Sequence, residues 1–260
     1  MTILNNTTWV VGTPRTGSML TYNLVKEIFN SEGYCALPKK MVKSDKEKID
    51  MYKKTSLRDL DEKNKYVLKV HSILRSNLPK SKFIVNIRNP FDICASFFEF
   101  MKCECDSAIK VAKAHWYVIE HHKTFDDSAI FFIRYEKLEL EPIKVITELS
   151  KFLGVELNLR CAKKISKKFD KRAVKKIIIE TENKLKAKME NQKKILPDEL
   201  VKISDNNYRA LDLTTGFQTR HISNRKSGEW KKVFVDTEIP KVIVALNDVA
   251  VKLGYEREVY

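Results

Sequence analysis

Four short runs of β-forming apolar residues constrain this chain more than any other feature: Thr8-Trp9-Val10-Val11, Tyr66-Val67-Leu68-Lys69-Val70, Phe83-Ile84-Val85-Asn86-Ile87 and Ile130-Phe131-Phe132-Ile133. Near-continuous apolar strands of this length are buried on both faces, as in a parallel sheet covered by crossover helices. Between and after these runs the period changes. Leu20, Leu24, Val25, Ile28 and Phe29 recur at helical spacing after the first run. Residues 91–101, 107–123 and 142–153 carry the same period, and the last stretch closes at Gly154, a residue suited to a left-handed helix end. Strands alternating with helices predict an α/β fold of three layers, a central parallel sheet with helices on both faces. Residues 36–64 read as a polar surface excursion with one short helix, 156–205 as long basic helices, and 206–232 as loop. A last amphipathic helix is expected over 238–254. No clean linker interrupts the chain, so residues 1–260 read as a single domain with a basic helical segment at about 160–205 within it.

The first run ends in Gly12-Thr13-Pro14-Arg15-Thr16-Gly17-Ser18-Met19, and a helix follows. Two glycines bracketing four residues between a strand and a helix have the spacing of a phosphate-binding P-loop, where backbone N–H groups and a helix N-terminus converge on an anion. The lysine that an ATP-binding loop needs after its second glycine is absent, because Ser18 and Met19 stand there. A cation lies inside the turn instead, at Arg15. The same spacing also serves a tight strand-to-helix turn with no ligand.

The third run leads into Arg88-Asn89-Pro90-Phe91-Asp92, with Ser96 two turns further on. Asn89 suits an N-cap, Pro90 the first helical position, and Asp92 the third, as in a capping box. Capping does not account for Arg88, at the carboxyl end of a strand where open α/β sheets bind ligands. Nor does it account for Ser96 amid Ile93, Cys94, Ala95, Phe97 and Phe98. Arg88 and Ser96 holding one phosphate together is one reading; a Ser96 hydroxyl bonded to the carbonyl one turn back is the other.

In these segments the chain resembles the sulfotransferases that use 3′-phosphoadenosine 5′-phosphosulfate (PAPS). Thr13 to Ser18 resembles their 5′-phosphosulfate loop, and Arg88-Asn89-Pro90-x-Asp92-x-x-x-Ser96 their 3′-phosphate motif. Lys69-Val70-His71, Tyr135-Glu136-Lys137-Leu138, Phe152-Leu153-Gly154-Val155 and Gly228-Glu229-Trp230-Lys231 are similar to further family segments, in the same order. The resemblance implies sulfuryl transfer from PAPS, with PAP as product, to a hydroxyl or amine of a small-molecule or carbohydrate acceptor. It implies His71 as general base, Lys69 and Arg15 as cations on the transferring group, and a nucleotide site of Thr13, Pro14, Arg15, Thr16, Gly17, Ser18, Met19, Arg88, Ser96 and Tyr135. Met19 replaces a hydroxyl residue usual in the family, and Leu20 an adenine-stacking tryptophan found in cytosolic members. Arg220, Ser223, Arg225 and Lys226 surround the place of a further 3′-phosphate contact, for which Arg225 and Lys226 are carried forward, and His221 is the alternative base.

Charge and cysteine content narrow the alternatives. The chain carries +15, of which residues 163–194 supply 13 Lys/Arg against 4 Asp/Glu. Such a field suits any anion, but Phe169 is the one aromatic in that stretch, against a base-stacking nucleic-acid surface. A P-loop small-molecule kinase and a basic nucleic-acid-binding protein remain the alternatives, and no specific nucleic acid is expected. Cys103-x-Cys105 has no second pair, so no metal is expected. No run approaches a membrane span and the N-terminus has no signal pattern, so a cytoplasmic protein with reduced thiols and no membrane contact is expected.

Overall fold

The computed structural model describes residues 7–55, 61–75, 78, 81–191, 199–204 and 207–259. Five strands, β1 (Thr7–Val11), β2 (Cys35–Leu37), β3 (Asn64–Val70), β4 (Ser81–Ile87) and β5 (Ile130–Arg134), form one sheet in the order β2-β3-β1-β4-β5. Every pairing in it is parallel. The side-chain alternation of the strands divides the core in two. Val10, Val67, Ile84 and Ile133 point to one face, where they meet α1 (Ser18–Ser31), α6 (Pro142–Leu153) and α7 (Leu159–Lys168). Trp9, Val11, Leu68, Val70, Phe83 and Val85 point to the other, towards α2 (Asp45–Thr55) and α4 (Cys105–His122). An outer cluster joins α3 (Pro90–Met101), α4 and α9 (Ile239–Lys252), with Trp230 stacked on Phe91 at 4.8 Å between ring centres. The expected three-layer α/β architecture is the one observed.

Two expectations need correction. The excursion at 36–64 contains an edge strand, β2, which pairs Cys35 to Leu37 with Asn64 to Tyr66. A three-residue strand carries too few side chains to show alternation. Of the helices expected over 156–205, α7 and α8 (Lys171–Asn191) are observed and residues 192–198 lie outside the described residues, but β6 (Leu200–Ser204) is a strand that pairs antiparallel with β7 (Asn207–Ala210), a strand in what reads as loop. Ala162, Ile165, Phe169, Val174 and Ile178 pack into the α1-side core, leaving the lysines outside.

Candidate active site

The connection after β1 runs towards β2 and the connection after β4 runs the other way towards β5, so the two diverge between neighbouring strands. That divergence opens a crevice at the carboxyl edge. The loop after β1, His71 after β3, Arg88 after β4 and Tyr135 after β5 all lie there. They share a cavity of about 410 Å³ whose far wall comes from α6, α7, α8 and the segment 217–225.

Two glycines shape the first loop. A Cβ on Gly12 would collide with Thr16 Oγ1, and Gly17 has φ 85° with the Tyr135 ring against its α-carbon. Between them Arg15 adopts φ 74°, a left-handed conformation unfavourable for a long side chain. No side chain caps the N-terminus of α1 at Gly17, so the first-turn N–H groups remain available to an anion. Pro14, Arg15, Gly17, Ser18 and Met19 line the cavity. The side chains of Thr13 and Thr16 do not: Thr13 Oγ1 pairs with His115 Nδ1 at 3.0 Å, and Thr16 Oγ1 donates to the Thr13 carbonyl at 2.9 Å.

The second loop is fixed to the first. Arg88 Nη1 donates to the Arg15 carbonyl at 2.7 Å, and its guanidinium lies 4.2 Å from the Tyr135 ring centre. Arg15 Nε in turn donates to Ser96 Oγ at 2.9 Å, and Arg15 Nη2 to the His221 carbonyl at 2.9 Å. Burial and the nearby Arg88 pull Arg15 down to about 9. Asn89 caps α3 as its residue type predicts, accepting from the Phe91 N–H at 2.9 Å. Asp92 does not close a capping box. Its Oδ2 accepts from the Gly228 N–H at 2.9 Å, and the Asn89 N–H goes instead to Glu136 Oε1 at 2.9 Å. Thus the glutamate of the Tyr135-Glu136 pair, in the first turn of α5 (Tyr135–Leu140), pins the loop after β4. Arg88 Nε is buried without a hydrogen-bond partner among the described residues. Arg88 also lines the cavity, and a cationic side chain there with hydrogen-bonding capacity to spare fits an anionic group, as the 3′-phosphate of a nucleotide would be.

On the opposite side of β1, His71 Nδ1 lies 2.5 Å from the Gly12 carbonyl and Nε2 lies 2.8 Å from Lys69 Nζ. A carbonyl only accepts, so Nδ1 carries the proton and Nε2 presents its lone pair. Burial first, and then the Lys69 charge, hold His71 down at about 4; burial and Lys48 hold Lys69 at about 7. The backbone around His71 is anchored by α2. Asp45 Oδ2 accepts from the His71 N–H at 2.9 Å and from the Ser72 N–H and hydroxyl at 3.2 and 2.8 Å. Asp45 Oδ1 bonds Lys48 Nζ at 2.9 Å.

Among the C-terminal candidates, Arg225 lines the cavity with Nε and Nη2 on Glu99 Oε2, whereas the exposed Lys226 does not reach it. Phe217 and Phe169, both on the far wall, supply aromatic surface to the cavity that Leu20 also lines, where no tryptophan stands. His115 is the site neighbour that sequence reasoning missed. Its Nε2 accepts from the Arg88 N–H at 3.3 Å while Nδ1 meets Thr13, so one buried imidazole ties both loops together. Among the described residues no cluster of three or more metal-ligating side chains occurs, and no described helix is long and apolar enough to cross a membrane.

A family model described as the sulfotransferase domain matches residues 5–202. Retinol dehydratase in complex with androsterone and inactive cofactor PAP superposes with a TM-score of 0.60 at 15% identity, covering 100% of this chain and 84% of that one. A mouse sulfotransferase complexed with PAP gives 0.59 at 18% identity, covering 96% and 89%. The sulfotransferase domain of the curacin biosynthetic pathway gives 0.52 at 12% identity, covering 99% and 100%. At such identities the likeness establishes the fold. No curated protein matches the sequence.

Proposed function

The chain belongs to the sulfotransferase domain family, and from that premise we infer that it moves a sulfuryl group from PAPS to a hydroxyl or amine of a small acceptor. PAPS, when bound, supplies a sulfuryl group already activated on a phosphate leaving group. One observation carries the reading: the loops after β1 and β4 are joined through Arg15 and Arg88, and both cations line one cavity together with Lys69 and His71. The α1 N-terminus, Ser18 and the loop N–H groups would hold the 5′ end. Arg88 Nε and Ser96 would hold the 3′-phosphate, with Arg225 at the rim. Phe217 and Phe169 would take the base in the absence of a tryptophan at Leu20.

His71 acts through its fixed tautomer. The Nδ1–H bond to Gly12 leaves Nε2 to accept the acceptor's proton. Its low pKa keeps that lone pair free at neutral pH, though it also weakens the base. Lys69, which now donates to Nε2, would turn to the oxygens of the transferring group as the acceptor takes its place. The solved structures with androsterone and retinol support a small-molecule acceptor. The five unpaired cysteines fit a reducing, cytoplasmic setting. Phe169 and Val174 pack into the α1-side core, which supports reading the basic helices as part of the same domain. The test is calorimetric titration with PAP and with ATP in EDTA. PAP should bind far more tightly and without metal; equal affinities would remove the basis for a 3′-phosphate site.

A further inference from the structure

His221 is the one histidine of the cavity to which the roles above give no work. It follows Arg220, itself in a left-handed turn at φ 63°, which folds the segment back over the first loop. Its carbonyl receives Arg15 Nη2 at 2.9 Å. Its ring sits against two aromatics, with centroid distances of 5.8 Å to Phe100 and 5.7 Å to Phe217. Nδ1 accepts from the Gln218 N–H at 3.2 Å. A neutral imidazole that accepts at Nδ1 carries its proton on Nε2. No described group pairs with Nε2, and the residue lines the cavity together with Lys69, His71 and Arg15. Burial, reinforced by Arg15, Lys69, Arg209 and His71, keeps the imidazole uncharged. The carboxylates nearest in this network are occupied: Asp45 by Lys48 and the 71–72 turn, Glu99 by Arg225.

Resting on the sulfotransferase reading, we propose that His221 Nε2–H is a dedicated donor to a non-bridging oxygen of the sulfuryl group. In the transfer step the acceptor oxygen forms the bond to sulfur. The bond from sulfur to the phosphate oxygen breaks, and its electron pair stays on the phosphate. The acceptor's proton passes to His71 Nε2. His221 keeps its own proton throughout and only donates a hydrogen bond, so it differs from His71 in tautomer and in task. The aromatic clamp of Phe100 and Phe217 and the bond from Gln218 fix the direction of that donor before any ligand arrives, which is the condition for a donor to act without reorganisation.

A contact made to the sulfuryl group alone must appear as a difference between PAPS and PAP. The experiment is calorimetric titration of both nucleotides, without acceptor, into the wild-type protein, His221→Phe and His221→Gln. Phenylalanine keeps the stacking and removes the donor; the glutamine amide restores a donor near the Nε2 position. The proposal expects His221→Phe to weaken PAPS by about tenfold or more, as for a hydrogen bond to a charged group. It expects PAP to stay within about threefold and His221→Gln to recover much of the PAPS loss. If both nucleotides weaken alike in His221→Phe, or neither does, the donor role is overturned while the sulfotransferase reading stands. If the wild-type protein binds neither nucleotide, the sulfotransferase reading falls and this inference falls with it.

Discussion

Arg88→Ala is the perturbation whose size follows most directly from the structure. The guanidinium does two separable things. Through Nη1 it holds the Arg15 carbonyl at 2.7 Å, which fixes the crest of the first loop. Through Nε it offers a buried donor with no partner among the described residues. Losing the first bond costs about 1 kcal/mol, as for a typical hydrogen bond, and weakens every ligand of the loop alike. Losing the second removes a charge-assisted bond to the 3′-phosphate, about 1.5–3 kcal/mol, and weakens only ligands that have that group. PAP should therefore bind roughly 50- to 1,000-fold less tightly, the product of both losses. Adenosine 5′-phosphosulfate, which lacks the 3′-phosphate, should lose only about fivefold. Titration calorimetry with both ligands separates the terms, and circular dichroism checks that the variant folds. Equal losses for the two ligands would show that Arg88 serves the loop and not a phosphate.

Stability should fall on mild acidification. The His115 imidazole is buried and held at about 3, while in the unfolded chain it takes a proton near 6.5; the folded state binds fewer protons, so stability is present above pH 6.5 and is lost as pH falls towards 3. By pH 5 that is about 2 kcal/mol for each imidazole kept neutral, and His221 adds to it in the same direction. Urea midpoints at pH 7.5 and 5 read the difference, and identical midpoints would refute it. Asp45→Ala should cost about 2–4 kcal/mol, because it leaves the buried Lys48 unpaired and frees the 71–72 backbone. Adding Lys48→Met should restore much of the stability by thermal unfolding but not the turnover; recovery of both would show that Asp45 does not position His71.

What could be read from the sequence and what could not divides along the range of the interaction. Strands β1, β3, β4 and β5 were legible because each buries both faces, and Pro142–Leu153 because its period and Gly154 mark a helix completely. The turns after β1 and β4 were legible because their spacing is local. Which way the side chains of such a turn face was not legible: those of Thr13 and Thr16 bond to His115 and to the turn's own backbone. Asp45 and His115 escaped for the opposite reason. His115 lies 102 residues from Thr13 and shares a helix face with Ala108, Ala112 and Ile119, so from sequence it reads as core. Val201 to Ser204 alternate as a strand should, but four residues beside a long basic helical run are too short a signal to mark a strand.

The most direct test of the account follows radiolabelled sulfuryl from PAPS into a pool of small hydroxyl and amine compounds, in the wild-type protein and in His71→Ala, with PAP affinity measured alongside. The account predicts that label appears in an acceptor with the wild-type protein. It predicts that the His71→Ala rate drops by about 10²–10⁴, the worth of a general base, while PAP affinity stays within a few fold. Transfer at an undiminished rate by His71→Ala would contradict the assignment of the base, and label that never leaves PAPS for any acceptor, even with PAP bound tightly, would contradict the activity itself.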